Sequence, residues 1–141
     1  VDAVETVRKA GVKVPIHTGE VTPAAEMWEV VRLLAPDRIG HGIRCIDDPK
    51  LMAYLREHHI VLEVCPTSNI QTSAVKTWDE MKSVLQTLKD HGVPFTINSD
   101  GPELLGTSVK EEFERLLVKG ILTVSDVIAC TKTAREATFI K

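Results

Sequence analysis

The sequence predicts an α/β fold of parallel β/α units forming about half of a TIM-type (β/α)8 barrel, and three observations carry that prediction. Helix-period and strand-period patterns alternate along the 141 residues, the order that gives a parallel sheet with crossover helices. Four short apolar strands are each followed at once by a compact polar cluster: His17-Thr18-Gly19-Glu20, His41-Gly42, Cys65-Pro66-Thr67-Ser68-Asn69 and Asn98-Ser99-Asp100-Gly101. No Gly-x-Gly-x-x-Gly or Gly-x-x-x-x-Gly-Lys-Ser/Thr loop occurs, so the phosphate-cradling motifs of open nucleotide-binding sheets are absent. Length by itself favours a complete doubly wound sheet, since a whole barrel takes ~250 residues. The loaded tips outweigh length. An open sheet gathers its ligand where strand order reverses, whereas a barrel turns every C-terminal tip into one mouth.

The elements follow in order. Ala3, Val4, Val7 and Ala10 have helical spacing, Gly11 is a left-handed stop, and Val12 to Ile16 reads as a strand. Thr22-Pro23 is an N-cap with proline at the first helical position, opening a stripe of Ala24, Met27, Trp28, Val31 and Leu34 that Pro36 ends. Arg38 to Gly40 is the next strand. Asp48-Pro49 repeats the cap-and-proline device before Leu51, Met52 and Leu55, and Ile60 to Val64 is a β-branched strand. After a polar loop, Met81, Val84, Leu85 and Leu88 mark a helix closed by His91-Gly92, and Val93 to Ile97 is the fourth strand. Ser108 and Glu111 form a capping box for a helix through Leu116 to Gly120, and Thr123 or Ser125 caps the last helix.

Composition narrows the function classes. The chain is 43% hydrophobic, enough for a substantial core, and its net charge of −3 comes with no Lys/Arg cluster. Nucleic acid and anionic membrane are therefore not expected partners; a small molecule is. No apolar run approaches the ~18 residues of a membrane span, and no secretory leader is legible, so a cytoplasmic protein is expected. Cys45, Cys65 and Cys130 are widely spaced and read as reduced thiols. No linker divides residues 1–141, which read as one domain. The chain begins at Val1 and ends at Lys141 without a stop signal, and is expected to be part of something longer.

The polar tips carry the chemistry. His17 and His41 offer imidazole nitrogens, Glu20 and Asp100 carboxylates; converging on one mouth, they suit a divalent metal that acidifies water, with zinc the natural choice. Each has a plain reading: a structural histidine for His17, a tight turn for His41, a helix-dipole acid for Glu20, a turn residue for Asp100. Those readings do not explain why all four share one edge. His58, His59 and His91 sit at helix ends and read as solvated, Cys65 as a small buried hydrophobe, and Trp28 as packing. Thr67, Ser68 and Asn69 read as loop hydrogen-bonders shaping the pocket floor, while Glu63 interrupts an apolar strand.

The wording His17-Thr18-Gly19-Glu20, Arg38-Ile39-Gly40-His41-Gly42, Leu62-Glu63-Val64-Cys65-Pro66-Thr67-Ser68-Asn69 and Asn98-Ser99-Asp100, in this order, closely resembles the C-terminal half of the adenosine deaminase family of zinc hydrolases. The resemblance implies that these are the fifth to eighth strands of a barrel. It makes His17 and Asp100 zinc ligands of a one-zinc site, Glu20 the acid that protonates purine N1, His41 the residue that orients and activates water, and Gly19 a neighbour of the purine. The implied reaction is hydrolytic attack at C6 of adenosine or a related adenine nucleoside, giving inosine and ammonia. Two departures stand out. The family's other two zinc ligands form a His-x-His pair, absent here, so the isolated chain is expected to bind zinc poorly and to be inactive without the missing half of the barrel or a second copy of itself. Gly101 stands where many members carry a second Asp that bonds N7, leaving Glu103 or a water to substitute, or a modified nucleoside as substrate. The alternative is a stand-alone, non-catalytic open-sheet domain binding a nucleotide or a protein.

Overall fold

Four strands, β1 (Pro15–Thr18), β2 (Arg38–His41), β3 (Val61–Val64) and β4 (Phe95–Ile97), lie parallel and in sequence order, β1-β2-β3-β4, in the computed structural model, which describes residues 2–140. Val1 and Lys141, at which the sequence starts and stops, lie outside the described residues. Strand order never reverses, so the sheet has no switch-point crevice; consecutive parallel staves are the arrangement of part of a (β/α)8 barrel. Eight helices accompany the described strands: α1 (Asp2–Lys9), α2 (Ala24–Leu33), α3 (Pro49–Glu57), α4 (Pro66–Gln71), α5 (Trp78–Asp90), α6 (Pro102–Leu105), α7 (Val109–Val118) and α8 (Val124–Ala137). A 3-10 turn runs from Ile43 to Asp47. None of the described helices is long and apolar enough to cross a membrane.

Register assigns the two faces. Ile16, Ile39, Leu62 and Phe95 form one row across the sheet, and His17, Gly40, Glu63 and Thr96 the next, pointing the other way. Ile39, Leu62 and Phe95 of the first row join Met27, Val31, Leu51, Leu55, Met81, Leu85, Leu88 and Leu116 in one buried core, each such side chain contributing ~1.5–3 kcal/mol by burial. The second row is polar. Glu63 lies on that inner face and pairs with Arg38 at 3.1 Å; the Arg38 guanidinium is 3.9 Å from the centre of the Phe139 ring.

Three strands start later than their β-branched runs suggest, for one shared reason. The N–H groups of Val12, Ile60 and Val93 bond back to the carbonyls of Val7, Leu55 and Leu88 at 3.1, 2.9 and 2.9 Å, after left-handed Gly11, His59 and Gly92. These are Schellman closures, which spend the first residue after each helix on the helix end. Asp48 caps α3 as expected, accepting from the N–H groups of Lys50 and Leu51; the indole N–H of Trp28, donated to the same carboxylate at 2.8 Å, holds its pKa below the ordinary value. Thr22 is not the cap of α2. Pro23 takes that position, and the Thr22 hydroxyl instead accepts the Gly19 N–H at 3.2 Å, closing the loop after β1. Ser108 caps α7 by accepting from the Glu111 N–H, but the Glu111 carboxylate returns to the Ser108 hydroxyl rather than to its backbone. The complete capping box is Thr123 with Asp126, at the start of α8. The polar stretch after β3 is the helix α4, and α6 and the 3-10 turn likewise occupy stretches with no apolar periodicity.

The three cysteines are free and buried. Burial pushes the Cys45 and Cys65 thiols up to about 12 and that of Cys130 to about 11, which keeps Cys65 a protonated thiol beside the strand tips.

Candidate active site

His17 is the third residue of β1, on the inner face, and owes its position to its neighbour across the sheet. A Cβ on Gly40 would lie 2.6 Å from His17 Cδ2, so only glycine leaves the imidazole room to lie over β2. His41, the last residue of β2, falls by strand alternation on the helix-facing side with Thr18. Its left-handed backbone, φ +59°, breaks that alternation, and the ring is 97% shielded from solvent with its centroid 5.4 Å from that of His17. Asp100, after β4, has the same unusual backbone, φ +59°. Such conformations cost non-glycine residues ~1–2 kcal/mol each and cluster where a side chain must be aimed.

The predicted residues come together. Donor atoms of His17, His41 and Asp100 all lie within 4.8 Å of one another; His41 Nε2 is 3.6 Å from Glu20 Oε2 and 4.0 Å from Asp100 Oδ2. Bonds of ~2.0–2.2 Å place the donors around one zinc ion ~3–4 Å apart, and the His17 and Asp100 donors, with His41 beside them, lie close to that spacing. Two open clefts flank His17: one of about 320 Å³ with Gly40, Glu63 and Asp100 in its walls, and one of about 170 Å³ lined by Gly19, Glu20 and His41. Gly19 has φ +67°, and a side chain there would run into Met27 Sδ on the helix side; packing and backbone both require glycine.

What the tip clusters left unread is how α4 orders them. The Ser68 hydroxyl donates to Asp100 Oδ2 at 2.7 Å. The Asn69 carboxamide nitrogen, fully buried, meets His41 Nδ1 at 3.0 Å and Glu20 Oε1 at 3.2 Å, and the Thr72 hydroxyl donates to the same Glu20 oxygen at 2.9 Å. These contacts leave His41 Nε2 and Glu20 Oε2 facing one another across the cleft. Ser68 and Asn69 are therefore more than floor residues, and Thr72 joins them. The i, i+1, i+4 spacing of 68, 69 and 72 was the available signal, legible only once Pro66 is read as the first residue of a helix. His58, His59 and His91 are exposed and take no part in this cluster, as expected; the His58 ring stacks on Tyr54 at 3.9 Å.

Comparison with known proteins returns one family, described as adenosine deaminase, matched over residues 1–141. Adenosine deaminase of Aliivibrio fischeri is 42% identical over 108 residues, covering 77% of this chain and 32% of that protein. Aminodeoxyfutalosine deaminase of Streptomyces avermitilis is 41% identical over 133 residues, 93% of this chain and 36% of that one. The crystal structure of an adenine deaminase from Arthrobacter aurescens superposes with a TM-score of 0.91 at 28% identity, over 98% of this chain and 42% of the other. The chain thus spans about a third to two-fifths of the length of these relatives.

Proposed function

The chain belongs to the adenosine deaminase family, and from that premise we propose that it supplies the fifth to eighth staves of a zinc-dependent enzyme that deaminates adenosine or a related adenine nucleoside. The observation that carries this reading is the meeting of three strand tips, His17, His41 and Asp100, within 4.8 Å, with Glu20 3.6 Å from His41.

His17 and Asp100 would hold the zinc ion, which when bound lowers the pKa of water to ~7 and makes it a nucleophile at neutral pH. His41, its Nδ1 held by the Asn69 carboxamide, presents Nε2 to that water and orients it for attack on C6. Glu20 has Oε1 engaged by Asn69 and Thr72, which leaves Oε2 as the oxygen from which a proton would pass to purine N1. A C6–O bond forms, the C6–N bond breaks, and ammonia leaves with inosine as product. Gly19, in the smaller cleft beside Glu20, lies against the purine. Asp100 also accepts from Ser68, which restrains the carboxylate that would hold the metal. Gly101 offers no side chain to N7; Glu103, exposed two residues on, or a water takes that contact, or the nucleoside carries a modification.

The relatives' names differ in substrate, so the nucleoside is chosen by assay: ammonia release from adenosine and from modified adenine nucleosides by the complete protein, or by this chain mixed with its complementary half. Turnover is expected to vanish with a chelator and return with zinc, and Glu20→Gln is expected to lower it by about 10²–10⁴-fold with zinc content unchanged. Full turnover in Glu20→Gln overturns the assignment. The chain alone, with fewer than the three protein ligands of a usual catalytic zinc besides its water-orienting His41, is expected to bind zinc weakly and to be inactive.

A further inference from the structure

We propose that Glu112, outside the cleft, is a positioning residue: its buried carboxylate clamps α4 and thereby aims the three side chains that order Asp100, His41 and Glu20. The chemistry it serves rests on the functional reading above; the clamp rests on geometry.

Glu112 lies in the first turn of α7 with no solvent exposure, a costly place for a carboxylate unless it is fully engaged. Both oxygens are used. Oε2 accepts the backbone N–H of Thr67 at 3.2 Å, and Oε1 accepts the Thr107 hydroxyl at 2.8 Å and lies 3.8 Å from Arg115 Nη1. Arg115 in turn donates to the Thr67 hydroxyl. The second residue of α4 is thus gripped on its backbone and its side chain by two successive turns of α7. At the far end, Arg44 donates to the Ala74 carbonyl at 2.6 Å and the Val75 N–H to the Asn69 carbonyl at 2.9 Å.

A six-residue helix cannot maintain itself, because nucleation costs more than its few bonds return. The conformation of α4, and with it the placement of Ser68, Asn69 and Thr72, is therefore set by what holds its ends. On the buried stripe it shares with Leu116, an apolar residue would serve α7 without desolvating a charge; the carboxylate serves α4. Through Thr107 the same group also fixes the segment that follows Asp100. One side chain thus ties together the two parts of the backbone that carry Ser68 and Asp100, whose hydrogen bond spans the cleft wall.

The test uses the complete enzyme and Glu112→Gln, which keeps size and removes charge. Amide hydrogen exchange in residues 67–72 is expected to speed up about tenfold while β3 and α5 keep their protection. The kcat is expected to fall about tenfold, inside the hundredfold that a 1 Å misplacement can cost, with KM within about twofold. In an Asn69→Ser background the same substitution should cost less than about twofold, the coupling expected of residues acting through one element. Thr107→Val, which removes one donor and leaves the charge, should move exchange and kcat the same way by a smaller factor. Unchanged exchange in α4 for both variants, or additive losses in the cycle, overturns the proposal. A wild-type enzyme that deaminates nothing overturns the functional reading instead, and the exchange measurement still decides the clamp.

Discussion

The two ends of the same four strands use one unusual backbone conformation for opposite purposes. At the end where the strands begin, left-handed Gly11, His59 and Gly92 close helices by Schellman bonds, each satisfied within its own turn. At the end where the strands finish, left-handed His41 and Asp100 close nothing. They swing side chains across the sheet to partners 21 to 32 residues away: Glu20, Asn69 and Ser68. Local satisfaction marks the stabilising end of a barrel, and long-range aiming the working end. A positive φ is thus informative only together with where the neighbouring hydrogen bonds go.

Substitutions to and from glycine put that contrast to the test. His41→Gly relieves the left-handed backbone yet removes Nε2 from the cleft and orphans the buried Asn69 amide, so deamination by the complete enzyme should fall by about 10²–10⁴-fold with no gain in melting temperature; an active variant would dissolve the contrast. Gly40→Ala is expected to displace the His17 ring, whose Cδ2 lies 2.6 Å from where the new Cβ must go. Zinc affinity, read by competition with a chromophoric chelator, should drop by about 10–100-fold. The smallest effect belongs to the far end: His59→Gly makes the same backbone repair where nothing is aimed, and should stabilise by about 0.5–1 kcal/mol in thermal denaturation with kcat unchanged.

The alternation of helix and strand and the four loaded tips were legible because they depend on nearest-neighbour patterning. Asp48-Pro49 is readable as a helix start because cap and proline act within three residues. The polar tips could be seen as candidates for the same reason: an apolar run that stops at His17 or Asn98 stops in plain view. α4 was hidden for the converse reason. Its buried residues are Pro66, Thr67, Ser68 and Asn69, and their partners, His41, Asp100 and Glu112, lie 28 to 45 residues away, where no local period can register them. Glu112 looked like any acidic residue near a helix start. Its place on the stripe of Leu116 was the one anomaly, since an acid four residues from a core leucine shares its burial. Strand starts were read too early because β-branched residues such as Ile60 and Val93 favour a strand, while the helix end before them claims their N–H groups first.

Glu63 lies in the same row as His17, its partner Arg38 starts the neighbouring strand, and the Phe139 ring lies against the Arg38 guanidinium. The aromatic ring thus braces the guanidinium, and the guanidinium balances the Glu63 carboxylate in the wall of the cleft that holds His17. A change at Phe139 alone would therefore reach the wall beside His17 from outside, without touching any group that handles substrate.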